Sequence, residues 1–147
     1  MEAFVRAGFD VATTGKMLNI GDVEEQFQYY KEHYPSGYDC FPIALSYKIT
    51  KLKEDTNEAR VKVAYEYIGD ICAEVLHMDK KTKKEVIYRL DKSKKIWKIY
   101  FPTEPPYISV KTAIKLSEDL IKVHPKLKKK IERNISIFKK YYKESSN

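Results

Sequence analysis

The fold is decided by one stretch of strict alternation, residues 58–67, which read EARVKVAYEY. From Val61 to Tyr67, apolar or aromatic side chains occupy every second position, and charged or small side chains occupy the positions between them. A period of two predicts a β-strand with one buried side and one solvent-facing side. Residues 43–49 alternate in the same way, and a polar turn at residues 55–57 separates the two stretches. Together they predict an antiparallel hairpin.

The strand pattern continues to residue 101. We expect further strands at residues 71–78, 85–90 and 96–101, with turns at 69–70, 80–84 and 91–95. Unlike the first two strands, the stretch 71–78 is apolar on both parities. Five consecutive strands joined by short turns predict an antiparallel meander.

Helical periodicity flanks the meander on both sides. Before it, residues 2–13 and a stretch that begins at Asp22 place apolar side chains at helical spacing, and Glu25 completes a capping box with Asp22. After it, Ser109 is expected to cap one helix and Pro125 to begin another. The sequence therefore predicts one α+β domain over residues 1–147, with a helical part at 1–40, an antiparallel sheet at 41–101 and terminal helices at 109–143.

Composition excludes several classes of protein. The 147 residues are 43% hydrophobic and 13% aromatic, which is too much apolar material for a disordered chain. Apolar runs do not exceed five residues, so a membrane-spanning helix is not expected. The N-terminal residues lack the basic-then-apolar pattern of a secretory signal. We therefore expect a soluble protein with a cytoplasmic location.

Two cysteines, Cys40 and Cys72, allow at most one internal bridge. Free cysteine is among the most buried residue types, so we favour two unpaired thiols. A disulfide would instead imply an oxidising compartment. In that case the chain could be the mature form of an exported protein.

Three stretches carry a resemblance to a known architecture: YKITKLKED at 47–55, EARVKVAYEY at 58–67 and EVIYRLDKSKKIWKI at 85–99. With two preceding helices, this arrangement resembles the cystatin-like architecture and, within it, the nuclear-transport-factor-2-like superfamily. The last stretch is similar to the closing strands of that superfamily. The resemblance covers about residues 1–101, and residues 102–147 depart from the usual pattern, in which the chain ends soon after the last strand.

The resemblance implies a curved sheet wrapped around helices, often with a pocket at the wide end of the resulting cone. Members of the superfamily include isomerases, cyclases and dehydratases as well as noncatalytic binding domains. The architecture alone therefore assigns no function.

Tyrosines on the inward side of the predicted sheet are the candidate pocket residues. The candidates are Tyr47, Tyr65, Tyr67 and Tyr88, with His77 at the rim. Their rings either line a ligand pocket or fill the core, and we favour filling. Glu74 and His77 form the best acid–histidine pair, but their opposite parity aims them at opposite faces of a regular strand. We therefore predict no catalytic residue, and the scattered histidines predict neither a metal site nor a cofactor.

The last predicted helix is basic, because residues 124–147 hold eight lysines and arginines against two glutamates. Its candidate binding residues are Lys126, Lys128, Lys129, Lys130, Arg133, Lys139 and Lys140. Such a helix could bind nucleic acid or an anionic membrane surface, although a lysine row is usually a solvated face. The opposite, apolar stripe consists of Leu127, Ile131, Ile135 and Phe138. We expect this stripe to dock on the sheet of its own chain or on a second copy, which would make a homo-oligomer.

Three functional hypotheses follow. The leading one is a noncatalytic domain that binds a partner protein or a small apolar ligand. The second is a pocket enzyme of the cyclase or isomerase kind, in which a tyrosine and an acidic residue transfer protons. The third is polyanion or membrane-surface binding by the basic helix.

Overall fold

Long strands followed by two helices make up the part of the chain that the structure describes. The computed structural model describes residue 5 and residues 40–93, 96–102 and 106–145. The strands are β1 (Phe41–Glu54), β2 (Glu58–Cys72), β3 (Val75–Ser93), β4 (Ile96–Phe101) and β5 (Ile108–Ser109). The helices are α1 (Val110–Val123) and α2 (Lys128–Ser145), joined through a 3-10 turn at Pro125–Leu127. The predicted α+β class is confirmed, and the helices predicted within residues 1–40 lie outside the described residues.

The strands form one curled sheet, a half-barrel, in the order β4-β3-β2-β1-β5. Strands β1 to β4 pair antiparallel with their sequence neighbours, as the predicted meander requires. Strand β5 pairs parallel with β1, where Ile43 lies beside Ile108 and Ala44 beside Ser109. The sheet is therefore mixed, and the prediction of a wholly antiparallel sheet is wrong because the return from β4 brings residues 108–109 to the β1 edge.

The alternating residues of β2 are buried on one side of the strand, as predicted. Ala59, Val61, Val63, Tyr65 and Tyr67 are all buried, and they form one apolar cluster with Tyr88, Leu90 and Ile99. We call this side of the sheet the inner face. The predicted polar turn between β1 and β2 is present, because the Asp55 carboxylate accepts hydrogen bonds from the backbone N–H groups of Asn57 and Glu58 at 2.9 and 2.8 Å. These two donors hold the pKa of Asp55 below its ordinary value.

Strands were predicted at 71–78 and 85–90 with a loop at 80–84, and this prediction is wrong. Strand β2 runs on to Cys72, the chain turns at Ala73 and Glu74, and β3 then extends over 19 residues. The charged run 80–84 is strand, since Thr82 pairs with Tyr67 and Lys84 with Tyr65. Main-chain pairing does not require apolar side chains, and β2 supplies register partners for Thr82, Lys83 and Lys84.

A bulge explains why the turn was misplaced at residues 69–70. The register of β2 against β3 shifts between Tyr67 and Gly69. Gly69 has φ +154°, and a Cβ there would overlap the backbone oxygen of His77 and lie 3.0 Å from the Cα of Met78. Only glycine fits such a close approach at this backbone angle. The glycine therefore marks an irregularity inside a strand.

The bulge also changes which side of the sheet carries the apolar residues. Against β1, Ile68 is one extra residue in β2, because Ile43 pairs with Gly69 and Ala44 with Tyr67. One extra residue reverses the side to which all subsequent side chains point. Beyond it, Ile71 lies in a second cluster on the opposite side of the sheet, with Ile43, Ile68, Ile108 and Phe138. We call the side that carries this second cluster the helix face. Residues 71–78 are apolar on both parities because the stretch crosses the β2–β3 turn: Ile71 on β2 pairs with Leu76 on β3, and both pack on the helix face.

The two helices cover the helix face. Ser109 caps α1 as predicted, because its Oγ accepts a hydrogen bond from the N–H of Thr112 at 3.0 Å. In α2, Ile131, Ile135 and Phe138 are buried, and Phe138 packs in the cluster of the helix face. The apolar stripe therefore docks on its own chain. Neither helix in the described ranges has the length and apolarity needed to cross a membrane.

Candidate functional site

The predicted tyrosines lie where the alternation places them, on or against the inner face. Tyr65 and Tyr88 are each 1% exposed, with their hydroxyl oxygens 3.2 Å apart, and Tyr67 is buried beside them. Tyr47 is half-buried and packs against the same cluster. Tyr107, which precedes β5, stacks on Tyr65 with ring centroids 3.7 Å apart and planes 7° apart. These rings pack against one another, which supports the interpretation that they fill the core.

Tyr67 has an acidic neighbour. Its hydroxyl donates a short hydrogen bond to the carboxylate of Asp70, and the Lys84 ammonium lies 3.7 Å from the centroid of its ring. Burial, and secondarily the hydrogen bond to Asp70, raise the pKa of Tyr67 above its ordinary value. The phenol is therefore held in its protonated form, which makes it a poor general base.

His77 and Glu74 do not form an acid–histidine pair inside the sheet. His77 is exposed on β3 and lies opposite Asp70 in the register. Glu74 occupies the β2–β3 turn, where its backbone oxygen accepts a hydrogen bond from the Asn134 side chain at 2.9 Å. Within the described ranges, no three histidine, cysteine or acidic side chains come together as a metal site.

The predicted basic residues are all exposed at the end of the domain formed by α2. Lys129, Arg133 and Lys140 follow one another at helical spacing on the side opposite the buried stripe. Among the side chains that the structure describes in α2, Glu132 is the only carboxylate, and its Oε1 lies 3.8 Å from Lys128 Nζ. The outward side of α2 is therefore a positively charged surface, which we call the basic face.

Cys40 and Cys72 form a disulfide, so the expectation of two unpaired thiols is wrong. Their pairing follows from the register: Phe41 lies opposite Ile71, which places Cys40 opposite Cys72 one residue further, with Cα atoms 4.1 Å apart. The bond ties the start of β1 to the end of β2. The tip of the sheet is thereby fixed from both strands.

An apolar cavity of about 180 Å³ lies next to this disulfide and opens to solvent. We call it the α1 pocket. It is lined by residues from the tip of the sheet and from α1, namely Phe41, Ile71, Ala73, Leu116, Ser117 and Leu120. Phe41, Ile71 and Ala73 each neighbour one of the bonded cysteines in sequence. The disulfide therefore holds three residues of one wall in place.

Ser117 is the polar residue in the lining of the α1 pocket. It is 2% exposed, and its Oγ has no hydrogen-bond partner in the described part of the chain. A serine inside a helix commonly bonds to the carbonyl four residues earlier. This hydroxyl does not, and because its oxygen has almost no accessible surface, a ligand in the pocket does not reach it.

The sequence contains the lining residues of the α1 pocket but carries no signal for the pocket itself. Ser117 and Leu120 share the apolar side of the helical pattern at residues 110–121, a spacing that is typical of core residues. The pocket forms because the β2–β3 turn lies at Ala73 rather than at Gly69. Asn134, which fixes that turn, gave no signal beyond its place in the helix.

Comparison of the chain with protein-family models, with curated proteins and with solved structures gives no match.

Proposed function

We propose that this protein is a noncatalytic binding domain of cystatin-like architecture, which recognises a partner protein by taking one apolar side chain into the α1 pocket. The curled meander of β1 to β4 supports the architecture, although the parallel β5 and the terminal helices on the helix face are additions to it. The observation that carries the function is the α1 pocket, an apolar cavity that opens to solvent between two anchored elements.

Pocket size favours a protein partner over a free small molecule. Pockets that enclose drug-sized ligands measure roughly 300–1,000 Å³, whereas this one measures about 180 Å³. An apolar cavity of about 150 Å³ is large enough for benzene. A group of that size makes few contacts on its own, but as an anchor side chain it is supported by the surrounding surface of the partner.

The walls of the α1 pocket are rigid enough for such an anchor. The disulfide fixes one wall, and the Asn134–Glu74 hydrogen bond fixes the turn beside it. Leu116 and Leu120 project from α1, which packs against α2. A preformed pocket binds without the entropic cost of ordering its own walls.

The inner face offers less support for an enzyme. Its tyrosines contact one another, and Tyr67 has an elevated pKa beside Asp70. A tyrosine that acts as a general base would need to ionise near neutral pH.

A peptide-selection experiment tests the proposal. Random peptides displayed against the full chain should converge on one apolar or aromatic position. Leu120→Trp fills the pocket and should abolish binding of the selected peptides. Val123→Trp, at a position 71% exposed on the same helix, is the matched control and should retain it. Equal binding to both variants would contradict the proposal.

The basic face supports a second candidate, polyanion binding. The apolar side of α2 is already buried, so a membrane would meet only its charges and not an insertable stripe. A triple variant, Lys129→Glu, Arg133→Glu and Lys140→Glu, should lose salt-dependent binding to single-stranded nucleic acid or heparin. Retained binding would eliminate this candidate.

The disulfide favours the exported alternative over the cytoplasmic one. Disulfides persist in oxidising compartments and are rare where thiol reductants are abundant. Cys40 is exposed, so a cellular reductant would reach this bond.

A further inference from the structure

Strands β1 to β4 bring three cations and one aromatic ring into a single row across the sheet. The register places Lys53 opposite Arg60, Arg60 opposite Arg89, and Arg89 opposite Phe101. Arg60 alternates with the buried residues of β2, so the row lies on the side of the sheet away from the inner face. All four residues are exposed. We call them the outer row.

The positive charges of the outer row are not neutralised by ion pairs within the domain. Like charges that lie directly opposite one another destabilise a strand pair. Elsewhere on this side of the sheet, three lysines form ion pairs with the carboxylates of Glu66 and Glu85. Within the described residues, no carboxylate forms an ion pair with a cation of the outer row, and the opposed Glu58 and Asp91 lie one row further along. The row therefore offers three cations to an anionic partner.

Apolar side chains border these cations and remain in contact with solvent. Phe101 is 57% exposed, and its ring centroid lies 5.7 Å from the guanidinium carbon of Arg89. Ile87 is 49% exposed and lies two residues from Arg89 in β3, hence on the same side of the strand. A ligand that carries negative charge alone, such as an acidic peptide segment, would use the cations and leave this ring in water.

Single-stranded nucleic acid matches both parts of the outer row. Its phosphates pair with guanidinium and ammonium groups, and its unpaired bases stack on exposed aromatic rings. A duplex keeps its bases stacked inside, where a ring on a flat sheet does not reach them. The combination of cations and an exposed ring therefore favours a single strand.

We propose that the outer row binds single-stranded nucleic acid, with phosphates on Lys53, Arg60 and Arg89 and one base stacked on Phe101. This inference goes beyond the proposed function, because it concerns another surface and another class of ligand than the α1 pocket. It also differs from polyanion binding by the basic face, which offers charge without a ring.

The salt dependence of binding tests the cations. Fluorescence anisotropy of a labelled oligothymidine with the full chain gives the association constant at several salt concentrations. Each phosphate contact to a single strand adds about −0.7 to the slope of log K against log salt, so Arg60→Gln/Arg89→Gln should make the slope shallower by about 1.4. Lys80→Gln/Lys111→Gln removes two exposed charges outside the outer row and is the matched control. It should keep the wild-type slope.

The ring is tested by comparing oligothymidine with an abasic oligomer of equal charge. Phe101→Leu keeps an apolar side chain but removes the ring, and it should weaken oligothymidine binding about ten-fold, as the loss of one stacked base predicts. Binding of the abasic oligomer should not change. Phe101→Tyr retains the ring and should bind oligothymidine within about two-fold of the wild type.

Three results would overturn the proposal. An unchanged salt slope in Arg60→Gln/Arg89→Gln would place any bound nucleic acid elsewhere on the chain, for example on the basic face. Equal weakening of both oligomers by Phe101→Leu would show that no base stacks on the ring. If polyglutamate binds as tightly as oligothymidine and depends on the same two arginines, the outer row is a surface for acidic protein segments.

Discussion

Asn134 of α2 donates a hydrogen bond of 2.9 Å to the backbone oxygen of Glu74, and so joins the last helix to the β2–β3 turn across 60 residues of sequence. Asn134 is 8% exposed, which makes it one of three buried polar residues in the part of the chain that the structure describes. The turn that it fixes carries Ala73, a wall residue of the α1 pocket. The stability of the fold and the shape of the proposed site therefore both depend on the Asn134–Glu74 hydrogen bond.

Replacing Asn134 should destabilise the protein and loosen the pocket. Asn134→Ala leaves the carbonyl of Glu74 without this donor, and we expect the free energy of unfolding to fall by about 1–2 kcal/mol. Ser136→Ala is the control, since Ser136 is exposed and its hydroxyl donates only within α2, to the carbonyl of Glu132. Urea denaturation measures both, and an equal effect of the two variants would contradict the proposed role of Asn134.

The disulfide should stabilise the fold and preserve the pocket. It closes a loop with a sequence separation of 32 residues, and the chain-entropy model gives about 3.7 kcal/mol for a loop of that length. The double variant Cys40→Ser/Cys72→Ser should lose that amount and bind toluene, an apolar probe for the α1 pocket, more weakly. Reduction of the wild type should reproduce both effects, and unchanged binding after reduction would show that the pocket does not depend on the bond.

Thiol alkylation tests the compartment. Protein taken from its native cells under acid quench should show both cysteines blocked from alkylation until a reductant is added. If both thiols are alkylated without a reductant, the exported location is contradicted and a cytoplasmic location is favoured.

The bulge at Gly69 should tolerate no side chain. Gly69→Ala introduces a Cβ that overlaps the backbone of His77 at a φ of +154°, and we expect it to destabilise the protein by at least about 2 kcal/mol. Ala64→Ser on the same strand is half-buried and should change stability by less than about 0.5 kcal/mol. Thermal unfolding of the two variants gives the comparison, and a Gly69→Ala protein as stable as the control would refute the bulge.

Tyr67 should make the protein sensitive to alkaline pH. Its pKa is raised in the folded state, while a tyrosine in the unfolded chain ionises near pH 10. The unfolded state therefore releases its proton first, and stability contributed by the neutral phenol falls as pH rises above about 10. Tyr67→Phe should lose less stability between pH 9 and 11 than the wild type, whereas Tyr142→Phe, at an exposed position, should follow the wild type. Parallel curves for Tyr67→Phe and wild type would contradict the elevated pKa.

Regular alternation made β2 and its inward tyrosines predictable from sequence, because every second residue from Val61 to Tyr67 is apolar and the strand has no irregularity there. Prediction failed at Gly69. A glycine followed by an aspartate has the composition of a turn, and the close backbone approach that requires glycine in this bulge becomes visible only when β3 is in place.

Other errors followed from that one. A turn at residues 69–70 would end the second strand before Cys72, so Cys40 and Cys72 would not lie opposite each other. It would also leave the charged run 80–84 without a strand partner, and the run was therefore predicted as a loop. Strand β5 has two residues, too few for a periodic signal, and it forms through pairing with Ile43 and Ala44. The α1 pocket depends on all of these long-range contacts, which local pattern does not encode.

The most direct test of the central claim is an intermolecular NOE experiment on the full chain, with methyl-labelled isoleucine and leucine and toluene as the probe. We predict NOEs from the aromatic protons of toluene to the methyl groups of Ile71, Leu116 and Leu120. NOEs confined to the exposed Leu52 or Ile87, or none from a saturated sample, would contradict the α1 pocket as a binding site.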